Sequence, residues 1–417
     1  IRDSPSTMLV RSITGRLLDG LRRAPVVYLN GARQTGKSTL AASLPEATPR
    51  TFLTLDDTVL RTAAQADPQG FLEGLQGPVL IDEFQLVPEL ARAIKLLVDR
   101  QRTPGRFLLT GSAHAMVLPQ LADALAGRFE PRTLWPLSAG EQRSIKQDFI
   151  ARLFAAEDFP VRSLPNTRAQ TLDFVQCGGY PEVVLRDPRD RADWFSAYIT
   201  SILTRDVREL AAVENLSALP NLLALLATRA GTLLNTAELS RSAALPNSTL
   251  RRYLTLLEST FLTVMLPAWS TNLGKRLVKA PKVLFADTGV AAHLLGWRNT
   301  PGPVPSPSIG PLVENFVAME LQKFLGWSEV DARLYHFRTT AGLEVDFVLE
   351  DPRGRVVAIE VKSSTTVTPR DIAPLKRLAA DLGERFVRGI VFYTGDNAVP
   401  FGKGMSVLPI SMLWAGE

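Results

Sequence analysis

Apolar and polar positions alternate in two periods along the 417-residue chain. In the first third, short apolar runs are each followed by a helix-period stretch. Val26–Leu29, Thr51–Leu55, Val79–Ile81, Phe107–Thr110 and Thr133–Trp135 read as strands. That alternation predicts a parallel sheet covered on both faces. Ahead of it, Leu9, Ile13, Leu17 and Leu21 recur every fourth residue and predict an amphipathic helix over Ser6–Arg23. Arg11, Arg16, Arg22 and Arg23 would lie mostly on its solvated face. From Leu137 to about Leu210 the pattern is helical, broken by Gly178-Gly179-Tyr180-Pro181 and resumed in the amphipathic run Trp194–Val207. Three further helices follow, over Leu219–Arg229, Thr236–Ala243 and Ser248–Glu258, and then the apolar run Phe261–Leu266. Five prolines in Thr300–Pro311 predict a connector. Beyond it, Leu343–Leu349 and Val356–Lys362 alternate as strands around the turn Asp351-Pro352-Arg353-Gly354. These breaks predict four domains, over 1–136, 137–213, 214–300 and 301–417.

Chemistry enters between the first predicted strand and the helix after it. Gly31-Ala32-Arg33-Gln34-Thr35-Gly36-Lys37-Ser38-Thr39 fits G-x-x-x-x-G-K-[ST] in the strand-loop-helix setting where that pattern cradles phosphate. Glycines let backbone N–H groups turn inward, and the helix start adds partial positive charge. Lys37 is expected at the β- and γ-phosphates of ATP and the Ser38 hydroxyl on Mg²⁺. The run Val79-Leu80-Ile81 closes on Asp82 and Glu83, which would respectively hold Mg²⁺ and polarise the attacking water. Leu108-Leu109-Thr110-Gly111-Ser112 ends another strand in hydroxyls suited to sensing the γ-phosphate.

The order phosphate loop, acidic strand, hydroxyl-tipped strand resembles the AAA+ ATPases. More narrowly, Gly-Ala-Arg-Gln-Thr-Gly-Lys-Ser, Leu-Ile-Asp-Glu-Phe-Gln, Leu-Thr-Gly-Ser-Ala and Leu-Ala-Gly-Arg resemble the bacterial and archaeal family that pairs an AAA domain with a C-terminal DUF4143 region. The resemblance implies an α/β fold with sheet order 5-1-4-3-2 and a helical lid over 137–213. It also implies that Arg128, just before the fifth strand, reaches the γ-phosphate of a neighbouring copy. A guanidinium suits that role because its planar donors match phosphate oxygens. A shared site implies a homo-oligomeric ring, a hexamer by family expectation. Arg205, in Leu203-Thr204-Arg205-Asp206-Val207, matches a recurrent family segment in which a lid arginine touches nucleotide, though a local ion pair also accounts for it.

The three helices and the strand within 214–300 suit a winged helix-turn-helix. Its third helix offers Arg251 and Arg252 near its start, and Lys275, Arg276, Lys279 and Lys282 follow as a basic strip. Paired arginines are common groove and phosphate contacts on DNA, although winged helices also bind proteins.

In the last domain, pairing Glu350 with Val356 would set Asp346 opposite Glu360, with Lys362 on the same face. This resembles the D…E-x-K core of the PD-(D/E)xK nuclease superfamily, with its order of helix, three strands, helix, strand. Such carboxylates suit a second Mg²⁺. The resemblance adds a glutamate from the first helix. Glu314 matches its motif position, while Glu320 lies nearer the centre of the apolar face. A nuclease-like fold kept for DNA binding, with its metal site idle, is the competing reading.

A net charge of +5 permits a polyanionic partner. The single cysteine, Cys177, excludes an internal disulfide and a cysteine-based zinc cluster. No apolar run approaches the roughly 20 residues of a membrane span. With no signal-peptide pattern at the N-terminus, the expected location is the cytoplasm. The expectation is an ATP-driven ring acting on branched or forked duplex DNA. The alternatives are a nucleotide switch that binds a protein partner and an ATP-regulated, Mg²⁺-dependent nuclease.

Overall fold

The computed structural model describes residues 9–46, 49–112, 123–206, 217–270, 279–297 and 309–416. They fall into two compact units. One comprises Val10–Pro136 with Glu258–Phe261, and the other holds Leu137–Leu257 and Leu262–Glu417.

The first unit is built on five parallel strands in the order β2-β3-β4-β1-β5. These are β1 (Val26–Asn30), β2 (Thr51–Thr54), β3 (Val79–Asp82), β4 (Phe107–Gly111) and β5 (Phe129–Thr133). Read from the other edge, the order is the expected 5-1-4-3-2. Every residue of β1 is buried, as suits a central parallel strand with both faces covered. Val27, Leu29, Leu80 and Leu108 join Ile13, Leu17 and Leu21 of the N-terminal segment in one core.

Two local expectations are corrected here. The fifth strand is Phe129–Thr133 and not Thr133–Trp135. As an edge strand bonded only to β1, it alternates polar and apolar residues and tolerates Pro131, whose missing N–H removes no interior ladder bond. The first described helix is Thr14–Arg23, shorter than the expected Ser6–Arg23. Arg11 precedes it and is buried, not solvated.

The second unit carries a seven-stranded sheet in the order β6-β13-β14-β12-β11-β10-β9. Its elements include the helix Ile309–Leu325, β9 (Arg333–Arg338), β10 (Glu344–Glu350), β11 (Val356–Lys362), the helix Pro369–Leu382 and β12 (Phe386–Tyr393). This is the expected order of helix, three strands, helix, strand. β13 (Asn397–Pro400) and β14 (Met405–Pro409) extend it, and β6 (Arg162–Ser163) closes the far edge by pairing with β13.

That last strand corrects the reading of 137–213 as a separate lid. As far as it is described, to Asp206, this stretch belongs to the second unit. Phe149 stacks among Phe159, Phe324 and Phe392. The Arg162 guanidinium meets Gly416 O at 3.0 Å, and Trp414 Nε1 donates to Gln170. Apolar faces that suggested a free-standing helical body serve to cover the C-terminal sheet.

The helices Ala218–Ala227, Thr236–Ser242 and Asn247–Ser259 follow. After them, β7 (Thr263–Leu266) and β8 (Lys282–Phe285) pair antiparallel as a two-stranded ribbon. Among the described residues no helix is long and apolar enough to cross a membrane.

Candidate nucleotide site and a second carboxylate cluster

Between β1 and the helix Lys37–Ala42 the chain makes its sharpest turns. Gly31 has φ 150°, and a Cβ there would lie 2.3 Å from the Leu134 carbonyl oxygen, so only glycine allows the approach. Gly36, with φ 88°, caps the helix start in the left-handed region. The Lys37 ammonium is buried and donates to Gly31 O at 3.0 Å and Ala32 O at 2.8 Å. Thr35 Oγ1 donates to Ala32 O at 2.9 Å. Arg11 reaches in from the N-terminal segment and donates to Thr35 O at 2.7 Å and to Trp135 O. Nothing in the helical pattern of 6–23 pointed to that brace.

β3 and β4 bring the acidic and hydroxyl groups together. Ser38 Oγ donates to Asp82 Oδ1 at 2.8 Å, and Thr110 Oγ1 donates to the same oxygen. Hydroxyl and carboxylate oxygens beside a phosphate loop are the hard donors that Mg²⁺ prefers, so the residues present fit the ion. Glu83 follows Asp82 in a left-handed conformation, φ 54° and ψ 42°, which turns the chain out of β3 into the turn Phe84–Leu86. That turn folds Gln85 back. Its Nε2 donates to Glu83 Oε2 and, at 3.1 Å, to Ser112 Oγ. Gln85 thereby links the expected water-activating carboxylate to an expected γ-phosphate sensor, a role sequence reading missed. Tyr28, fully buried beneath, has its phenol held well above the ordinary range by burial and then by the nearby Glu83.

Arg128 is engaged within its own protomer. Nε and Nη2 pair with the two carboxylate oxygens of Asp99 at 2.6 and 3.0 Å, and Nη1 donates to Ala126 O at 3.0 Å. The pair holds the Asp99 carboxyl below its usual range.

In the second unit Glu350 pairs with Val356 and Phe347 with Ile359, so one step further Asp346 faces Glu360. Asp346 Oδ2 accepts from Val361 N at 2.8 Å, and Glu360 pairs with Lys362 at 2.9 Å. Glu314, not Glu320, joins them, its Oε1 lying 2.8 Å from Lys282 Nζ. Glu320 is fully buried elsewhere, accepting from Ala139 N at 3.0 Å and from Lys323 at 2.8 Å. Burial first, then the Asp346 charge, raises the carboxyl of Glu314 to about 7 and that of Glu360 to about 8. The Lys282 ammonium lies inside the cluster, which the sequence had assigned to a basic strip. Among the described residues no three His, Cys, Asp or Glu side chains are grouped to hold a metal ion. A second Mg²⁺ at Asp346, Glu360 and Glu314, as expected, would compete for these oxygens with Lys282 and Lys362.

Arg251 and Arg252 are exposed, side by side near the start of the helix Asn247–Ser259. Lys275 and Arg276 lie outside the described residues. Arg205 lies in the π-helical turn Ile202–Asp206.

Three family models match successive parts of the chain. They are an AAA domain at 23–142, a domain of unknown function (DUF8612) at 169–301 and a second (DUF4143) at 309–413. Uncharacterized proteins of Mycobacterium tuberculosis and Mycobacterium bovis are each 31% identical over 410 residues, which is 98% of this chain and 86% of theirs. One from Haemophilus influenzae is 27% identical over 248 residues, 58% of this chain and 56% of that protein. Among solved structures, a Walker-type ATPase of Pyrococcus abyssi aligns with 68% of this chain and 94% of its own. Its identity is 15% and its TM-score 0.44.

Proposed function

The chain belongs to the family in which an AAA-type ATPase domain is joined to a C-terminal DUF4143 region, and on that premise we propose that its P-loop ATPase drives an oligomer along duplex DNA in the cytoplasm. Lys37 would leave the Gly31 and Ala32 carbonyls for phosphate oxygens, which as charged acceptors bind an ammonium more strongly than neutral carbonyls do. Ser38 and Asp82 would hold Mg²⁺, whose charge offsets that of the phosphates. Glu83 accepts the proton of the attacking water, and Thr110 and Ser112 orient the γ-phosphate. Arg128 of an adjoining copy completes the site, so the functional form is a homo-oligomer, hexameric by family resemblance. Catalysis of this kind rests on positioning and charge stabilisation.

The observation that carries the DNA assignment is the exposed pair Arg251 and Arg252 on the third helix of the winged-helix arrangement. Forked duplex should raise ATP turnover several-fold, and Arg251→Ala with Arg252→Ala should remove the stimulation. Phosphate contacts by arginine also require binding that weakens steeply with salt. Turnover indifferent to DNA, with no retention on it, would overturn the motor. A nucleotide switch with a protein partner would then take its place. The bidentate Arg128–Asp99 pair is compatible with that second reading, because the arginine has to leave Asp99 before it can serve a neighbour.

A further inference from the structure

The carboxylates that a metal-dependent nuclease would use converge on an ammonium. Lys282 opens β8, and its Nζ lies 2.8 Å from Glu314 Oε1, 3.4 Å from Glu344 Oε1 and 3.7 Å from Asp346 Oδ1. Its side chain is 3% exposed, and Nζ stands 5.8 Å from the centre of the Phe347 ring. Its backbone is pinned from two sides, by pairing with Leu266 in the ribbon and by a bridge to Leu233. The side chain is therefore delivered to the cluster by the fold and is not a surface lysine that has drifted in.

A divalent ion at such a site draws oxygens from several carboxylates to one point about 2–2.6 Å away. Here that convergence is already served. Glu314 and Asp346 turn oxygens towards Lys282, the other Asp346 oxygen is bonded to Val361 N, and Glu360 is paired with Lys362. A buried ammonium and a divalent ion repel at such short range, and the oxygens that face Lys282 cannot serve both at once.

We propose that the Lys282 ammonium is the resident cation of this cluster, standing in place of the divalent metal that the nuclease-like fold implies. The carboxylates then serve to anchor the β7–β8 ribbon to the helix Ile309–Leu325 and to β10.

Mn²⁺ binding to the full chain without nucleotide, followed by electron paramagnetic resonance, tests this. Wild type and Asp346→Asn should take up Mn²⁺ identically. Lys282→Met, once circular dichroism shows it folded, should gain one Mn²⁺ per chain, and Lys282→Met with Asp346→Asn should lose that gain. Mn²⁺ uptake by wild type that Asp346→Asn abolishes would overturn the proposal, as would a folded Lys282→Met with no added site. Should Lys282→Met not fold, wild type against Asp346→Asn decides alone. Equal uptake upholds the resident ammonium, and Asp346-dependent uptake removes it.

Discussion

Arg128 is clamped by Asp99 through both carboxylate oxygens, at 2.6 and 3.0 Å, on the unit that would present it to a neighbour. Any reach into an adjoining nucleotide site begins by breaking this pair. Asp99 lies on the exposed side of the helix Leu90–Arg100, where solvent screens the attraction, so the clamp is weak. Asp99→Asn should therefore raise turnover by no more than about five-fold, with the KM for ATP unchanged. Steady-state kinetics at saturating protein concentration measure it. A loss of activity in this variant would show that Asp99 supports Arg128 in its working position and does not restrain it.

The shared site makes a second prediction. Glu83→Gln should retain ATP while hydrolysis falls roughly 100-fold or more, the usual weight of a general base. Arg128→Ala should likewise bind nucleotide and turn over slowly. Mixing the two variants creates some interfaces with an intact Glu83 facing an intact Arg128, so activity should partly return. Gln85→Ala breaks the link from Glu83 to Ser112. Its kcat should fall with little change in KM, because the amide acts through Glu83 and Ser112.

Much of this was legible in the sequence because it depends on short-range rules. The phosphate loop is recognisable from glycine conformation and spacing, and the Asp346–Glu360 juxtaposition follows from strand alternation plus one turn. What escaped depends on contacts between distant segments or on local geometry that a pattern does not encode. β5 was misplaced because an edge strand needs no continuous apolar run, and Phe129-Glu130-Pro131-Arg132-Thr133 offers none. Gln85 gains its role only through the turn that follows left-handed Glu83. Lys282 reads as one more basic residue until β8 carries it to Glu314, 32 positions further on. The choice between Glu314 and Glu320 was likewise beyond a helical wheel, since both face buried surroundings and only their partners differ.

Arg11 braces the phosphate loop from outside. Its guanidinium spans two carbonyls, those of Thr35 and Trp135, which a lysine cannot bridge with the same fork. Arg11→Ala leaves both buried acceptors short of a charged donor and should cost the first unit roughly 3 kcal/mol. Arg11→Lys should recover only part. Chemical denaturation gives the stability change, and fluorescent-nucleotide titration should show weaker binding, because the loop loses its support at Thr35.

The buried carboxylate cluster should make stability depend on pH in the opposite sense to most acidic residues. Burial and the charge of Asp346 lift the Glu360 carboxyl to about 8 and that of Glu314 to about 7, above the roughly 4.3 of an unfolded glutamate. Between those limits the folded chain holds more protons than the unfolded one, so raising pH pulls the equilibrium towards unfolding. The stabilisation is complete below the unfolded value and is lost as pH climbs through 7 to 8. His336, kept neutral by burial and lowered to about 4, acts in the other direction, but only below its unfolded value of about 6.5. From pH 6.5 to 8 the glutamates therefore act without it. The second unit's denaturation midpoint should fall across that window, by at most about 1.4 kcal/mol per pH unit for each titrating group. Glu360→Gln, which mimics the protonated form, should flatten the slope and leave the variant more stable than wild type at pH 8 and above. A midpoint that holds level or rises from pH 6.5 to 8 in wild type would mean that both glutamates are already ionised, with Lys282 and Lys362 supplying all the compensation their charges need.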